Sequence, residues 1–378
     1  MGWPFRKRFT GAAACLLSLF LLGCEPAQQP ADADFAVLAR AAEGYATAQP
    51  GKVLEFPRDH GAHPDYRIEW WYLTANLEDS DGRSYGAQWT LFRTAVRPSG
   101  ERPETNPWNS SQVFMAHFAL TWPEGHRAWQ RYARGGDHRG IARAGVTAEP
   151  FAAWLDDWRL ESTGMSWLPL RVQAGRNSHS LDLRLSSELD PVLQGDQGFS
   201  QKHPSGGGSW YYSQPFLLAE GEISLEGERI PVSGQAWLDR EWSSQFLQAD
   251  QAGWDWFALH LDSGEKLMLF QLRAKGGDGK PFRHGVLISA AGSARQLESG
   301  DMTFEVVERT EVAGRSLPLH WRMSLPTIER EIEIKALHPE QWMDVDFPYW
   351  EGVIRATGEG PGNSGRGYME LTGYPANQ

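Results

Sequence analysis

Trp70-Trp71-Tyr72-Leu73-Thr74-Ala75-Asn76-Leu77, then Ser80-Asp81-Gly82, then Trp89-Thr90-Leu91-Phe92-Arg93: this stretch reads as an aromatic-led β-hairpin closed by a glycine turn. A second stretch has the same form. Trp254-Asp255-Trp256-Phe257-Ala258-Leu259-His260-Leu261 leads to Asp262-Ser263-Gly264 and then to Leu269-Phe270-Gln271-Leu272-Arg273. The two copies are offset by 184 residues at the first strand and by 180 at the second. That spacing is far longer than a solenoid repeat, so it points to two related domains in tandem.

Strand signals dominate the rest of the chain. Alternating aromatic and β-branched runs recur between clusters of Gly, Pro, Asn and Asp. Pro318 and Pro326 break the segment from Leu317 to Lys335 into two expected strands, Leu319–Ser324 and Ile328–Ala336. The one helix expected is short, with Phe35, Leu38, Ala42 and Tyr45 on one face. The expectation is an all-β chain of two antiparallel domains, as closed barrels or sandwiches.

The N-terminus reads as an export signal. Arg6, Lys7 and Arg8 precede an apolar run from Ala12 to Leu22, and Leu21-Leu22-Gly23-Cys24 follows at once. A cysteine directly after a small residue is the lipoprotein form of the cleavage site, so Cys24 is the expected lipidation site. The expected division is 1–23 signal peptide, 24–50 lipidated tether and short helix, 51–242 N-terminal domain and 243–378 C-terminal domain. The body is then lipid-anchored to a bacterial membrane, in the periplasm or extracytoplasmic space. Of the two cysteines, Cys15 falls in the discarded segment. The formal charge is −12, and removing the three N-terminal cations leaves −15, which disfavours nucleic acid as a partner.

Eighteen tryptophans are a heavy load for 378 residues. Most serve as core volume, but clusters of them also suit the lining of an apolar cavity. The clusters are Trp70-Trp71-Tyr72, Trp210-Tyr211-Tyr212, Trp237 with Trp242, and Trp254 with Trp256. Period two places Glu69 on the face of Trp71, Leu73, Ala75 and Leu77. There it is either an acid of raised pKa or a structural partner of Arg93 or Arg240. Asp239 and Glu241 share a face with Gln235 and Trp237, with α-carbons about 7 Å apart. They are either an acid–base pair or a charge cluster paired through Arg240. His117, beside Met115 in the expected strand Val113–Trp122, is either a site residue or a hydrogen-bonded sheet histidine.

His60-Gly61-Ala62-His63 has H-x-x-H spacing but lies in a Gly/Pro loop, so no metal site is expected. Gly206-Gly207-Gly208-Ser209 lacks the ending of a phosphate loop, and neither a G-x-S-x-G elbow nor a dinucleotide fingerprint occurs. These absences fit chemistry without a cofactor, or binding alone.

Phe56-Pro57-Arg58-Asp59-His60-Gly61-Ala62-His63-Pro64, leading into Glu69-Trp70-Trp71-Tyr72, resembles the opening of the AttH-like proteins, which are related to carotenoid 1,2-hydratase (hydroxyneurosporene synthase). Met115-Ala116-His117-Phe118 and Ala236-Trp237-Leu238-Asp239-Arg240-Glu241-Trp242 resemble two further signatures of that family. The resemblance runs from about Leu54 to the C-terminus. It implies two tandem lipocalin-like barrels and an isoprenoid-like or lipid-like hydrophobic ligand held in an aromatic barrel cavity. It also implies hydration of an alkene without a cofactor, with Asp239 as the matching carboxylate. The expected catalytic set is Asp239, Glu69 and Glu241. The expected ligand-binding set is Trp70, Trp71, Tyr72, His117, Tyr211, Trp237 and Trp242. The other role open to the chain is that of a non-catalytic accessory subunit of a membrane transporter.

Overall fold

The computed structural model describes residues 43–99, 110–135, 143–276, 279–360 and 362–377. The export signal, Cys24 and the tether lie outside the described residues. So does the expected short helix, except for Glu43 to Tyr45, which make a turn.

The first sheet is built from thirteen strands. They are β1 (Ile68–Glu78), β2 (Ser84–Ala95), β3 (Gln112–Trp122), β4 (Gly125–Arg134), β5 (Ala144–Ala148), β6 (Phe151–Leu155), β7 (Trp158–Ser162), β8 (Leu170–Arg176), β9 (His179–Ser186), β10 (Val192–Leu193), β11 (Phe199–Gln201), β12 (Gly208–Leu225) and β13 (Glu228–Ser243). The second has ten. They are β14 (Gln251–Leu261), β15 (Lys266–Ala274), β16 (Phe282–Ile288), β17 (Ala294–Glu298), β18 (Thr303–Val312), β19 (Arg315–Leu325), β20 (Arg330–Ala336), β21 (Trp342–Met343), β22 (Tyr349–Gly358) and β23 (Gly365–Leu371). The two strands expected around Pro326 are β19 and β20, separated by a single 3-10 turn at Pro326–Ile328.

The first sheet runs β4-β3-β2-β1-β13-β12-β9-β8-β7-β6-β5, with β10 and β11 added to β12. A bridge between Gly135 and Ala144 brings its two ends together, so the sheet curls almost into a barrel. The second runs β17-β16-β15-β14-β23-β22-β20-β19-β18 and curls likewise. In each, the opening strand of the repeat, β1 or β14, is fourth from one end and pairs with the last strand of its own sheet. The repeated hairpins thus occupy equivalent places, and the architecture is a tandem of lipocalin-like barrels.

Each barrel interior is filled with side chains. Trp71, Trp89, Phe118 and Trp158 pack inside the first, and Phe257, Trp321 and Trp350 inside the second. The outer face of β1 is buried as well. Tyr72 and Trp237 pack against Trp256, Ala258 and Tyr368 of the second barrel, so a third core lies in the seam between barrels. The seam is tight at Gly86, where an added Cβ would sit 2.4 Å from Val353 and 2.6 Å from the Tyr368 hydroxyl. Arg366 also reaches across to Glu78 at 2.7 Å.

The loop carrying His60 and His63 is held against one end of the first barrel. Glu69, fully buried, is paired with Arg93 and, at 2.6 Å, with Arg240. It also accepts the His63 amide at 2.8 Å. Burial alone would raise its pKa, but the two guanidinium groups outweigh that and hold it well below the ordinary value. The same arginines bond the loop carbonyls: Arg93 reaches His63 and Tyr66, and Arg240 reaches Gly61. His63 stacks on Trp242 at 3.9 Å, and His60 on Trp167 at 3.6 Å. The H-x-x-H pair is therefore committed to packing. Glu69→Gln would leave two buried guanidinium groups without their carboxylate. It should lower the unfolding free energy by roughly 3–5 kcal/mol in urea titrations. A loss under about 1 kcal/mol would contradict this role.

Candidate functional site between the barrels

A cavity of about 200 Å³ opens in the seam. The first barrel contributes Trp70 and Tyr72 from β1, Phe92 from β2, His117 from β3, and Asp239 and Glu241 from β13. The second contributes Trp254 and Trp256 from β14, Phe270 from β15, Tyr349 from β22 and Glu370 from β23. The volume suits a small, ring-sized apolar group, since a cavity of roughly 150 Å³ takes up benzene. The aromatic side chains make the walls, and the carboxyl groups are confined to the strands that meet across the seam.

Strand register decides which candidate residues reach this space. In the antiparallel pairing of β1 with β13, Tyr72 faces Asp239 and Trp70 faces Glu241. These four share the seam side. The alternate pairs, Trp71 with Arg240 and Glu69 with Trp242, point into the first barrel and its loop. Asp239, Glu241, Trp70, Tyr72, His117 and Tyr211 therefore line the cavity. Trp237 sits beside it, donating its indole N–H to Asp239 at 2.7 Å. Glu69, Trp71 and Trp242 do not reach it. The expectation that Glu69 and Asp239 belong to one polar cluster is corrected here, because one register step separates opposite faces. The expected location is corrected too: this cavity lies between the barrels and not within one.

Asp239 is the most heavily bonded acid. It accepts from the Tyr211 hydroxyl at 2.6 Å, from Trp237, and from Ser213. Burial still pushes its pKa up to about 7, against the lowering effect of those donors, and nearby Glu241 adds to the rise. Glu241 itself is paired with Lys202 at 2.8 Å and bonded by Ser209. The Lys202 ammonium also lies over the Phe270 ring, 4.4 Å from its centroid.

Two acids on the second barrel escaped the sequence reading. Glu351 and Glu370 are direct cross-strand partners on β22 and β23. Glu370 accepts the Trp254 indole N–H at 2.9 Å, and burial, with Asp239 and Glu241 nearby, pushes it up to about 8. Glu351 is 1% exposed, and neither oxygen makes a well-formed hydrogen bond among the described residues. Burial first, then Glu370, drives its pKa well above the ordinary value; the Tyr72 and Tyr349 hydroxyls face it. The periodic signal was present, because Tyr349, Glu351 and Val353 alternate on one face of β22. Only knowledge that this face packs on another barrel would have made it readable. Burial also keeps the phenols of Tyr72, Tyr211 and Tyr349 neutral, their pKa values well above the ordinary one. Among the described residues no group of three or more His, Cys, Asp or Glu is placed to hold a metal ion.

The chain is thus a tandem of lipocalin-like barrels with an acidic, aromatic cavity in the seam between them. The AttH-like family model matches residues 47–374, and the chain belongs to that family. The crystal structure of a putative AttH from Nitrosomonas europaea is 39% identical, with a TM-score of 0.76, over 87% of this chain and 100% of that one. Kievitone hydratase from Nectria haematococca shares the fold at 16% identity and a TM-score of 0.62, over 89% of this chain and 98% of that one. So does CghA, solved with Sch210972, at 12% identity and a TM-score of 0.51, over 90% and 99% of the two chains. No curated protein matches the sequence.

The acids have a consequence for stability. Asp239, Glu351 and Glu370 all have folded-state pKa values raised above the unfolded ones. Their protonated forms favour the fold, and that contribution is lost as pH rises from the unfolded values to the folded values near 7 and 8. The melting temperature should therefore fall as pH rises from about 4, where the unfolded carboxyls ionise, to about 8, where Glu370 loses its proton in the fold, and Glu351→Gln should flatten the fall. A melting temperature that is constant or rises over that range in the unmodified protein would contradict the burial of these acids.

Proposed function

We propose that the inter-barrel cavity binds a hydrophobic small molecule and adds water across one of its double bonds by acid–base catalysis. The observation that carries this reading is the pairing of Asp239 and Glu370 at one aromatic cavity, from opposite barrels, with protonation poised near neutrality. Titratable groups pushed to neighbouring values near the working pH are suited to exchange a proton with a substrate. The family and the hydratase among the structures of like fold are consistent with it.

The donor sets assign the roles. Among the described residues three donors converge on Asp239, which favours its ionised form, whereas Glu370 has the one bond from Trp254. Glu370 is thus the proton donor and Asp239 the base, the reverse of a scheme in which Asp239 is the acid. Glu370 gives its proton to one alkene carbon, and positive charge develops on the other. The negative faces of the Trp70, Trp254 and Trp256 indoles suit that charge. Water adds to the cation as Asp239 takes a proton from it, and solvent exchange returns the proton to Glu370. The net change is one water added, and dehydration runs the same steps backwards. These poised acids favour this reading over a transporter accessory subunit, a role that requires no such groups.

The test uses 2,6-dimethylocta-2,6-diene in ¹⁸O-labelled water, with label in the product read by mass spectrometry. Glu370→Gln and Asp239→Asn should each lower incorporation by about 10²–10⁴-fold while binding of the diene persists. The rate should peak between pH 7 and 8, rising as Asp239 ionises and falling as Glu370 loses its proton. Full activity in both variants would overturn the scheme.

We propose further that the body is held to a membrane by lipid on Cys24, in the extracytoplasmic space. The Arg6–Arg8 charges, the apolar run and the Leu22-Gly23-Cys24 order support this. Cys24→Ser should release the body into the soluble fraction or leave an unprocessed precursor. A variant that stays membrane-bound at the wild-type processed mass would contradict the anchor.

A further inference from the structure

His117 lines the same cavity and has no part in the acid–base step. It is 1% exposed, on β3, with its ring against Phe92 and Tyr349. Nδ1 lies 3.0 Å from the Tyr349 hydroxyl. Nε2 is buried and has no hydrogen-bond partner among the described residues. Burial lowers the pKa to about 3, so the ring is neutral, with one nitrogen donating and the other accepting. A buried polar atom of this kind is costly to leave unpaired, and here it belongs to a residue on a cavity wall.

The charge around the cavity bears on the same question. Asp239, Glu241 and Glu370 line it, and Lys202, the cation among the lining residues, is already engaged by Glu241. An anionic head group would meet repulsion from any of these acids that is ionised. A hydroxyl group is neutral and both donates and accepts, so it satisfies Nε2 in either tautomer.

We propose that the ligand is a neutral, hydroxyl-bearing apolar molecule, its hydroxyl bonded to His117 Nε2 and its hydrocarbon part against the indoles. This rests on the reading of the cavity as the ligand site and adds the chemical class of what enters it. His117 is then a specificity-determining residue, distinct from the acids that move protons.

The test is calorimetric titration of the full chain with three probes sharing one skeleton: geraniol, the hydrocarbon 2,6-dimethylocta-2,6-diene, and geranate. In His117→Phe the ratio of geraniol to hydrocarbon affinity should fall by about tenfold or more, because the hydroxyl is still stripped of water with no bond in return. Hydrocarbon affinity should change by less than about threefold. His117→Gln, which keeps a polar group, should retain most of the ratio, and it separates a lost bond from a damaged fold. Geranate should bind most weakly of the three. An unchanged ratio in His117→Phe, or geranate binding tightest, overturns the proposal while leaving the cavity as an apolar site. Failure of all three probes to bind the unmodified protein overturns the ligand-site reading and this inference with it.

Discussion

The pairing of β1 with β13 is the constraint on which the rest of the structure depends. It joins the first and last strands of the first barrel, and it buries both of their faces. Because side chains alternate along a strand, one set of residues fills the barrel and the next set faces the second barrel. Trp71, Leu73 and Leu238 belong to the first set, and Tyr72, Trp237 and Asp239 to the second. A slip of one residue in either strand would turn all of its side chains to the other face and bring Glu69 and Asp239 to the same side of the pair. The Glu69–Arg93–Arg240 cluster fixes that register at the end of the pair, and the second barrel carries a comparable pin where Asp255 meets Arg273, Gln271 and Tyr374.

The two kinds of buried carboxyl follow from what each can reach. Glu69 has two guanidinium groups and stays ionised as a structural anchor. Asp239, Glu351 and Glu370 have hydroxyl and indole groups around them and, among the described residues, no paired cation, so burial raises their pKa values instead. The same fold thus separates stability from chemistry. Charge is neutralised by arginine where the barrel must be closed, and left to protons where the two barrels enclose a cavity.

Much of this was legible in the residues. The Trp70 and Trp254 hairpins gave away the tandem, and the period-two faces placed Trp71 inside and Asp239 beside Trp237. What the sequence could not supply was register between distant strands. Glu69 and Asp239 are both odd-numbered members of aromatic strands, but β1 and β13 pair odd positions with even ones, so the two acids diverge. Nor could it show that an outer barrel face is buried. Glu351 and Glu370 look like ordinary outward acids of an amphipathic hairpin until a second barrel covers them. His117 was visible as the polar member of a half-apolar face, but its contact with Tyr349, 232 residues away, belongs to the seam alone.

The central claim is that ligand enters the seam and not the interior of either barrel. Crystals of the full chain soaked in bromobenzene, with bromine located by its anomalous scattering, test it most directly. The account predicts one dominant bromine peak between the barrels, within contact of Trp256 and Asp239. A dominant peak among Trp89, Phe118 and Trp158 inside the first barrel, or beside Trp321 inside the second, would contradict it.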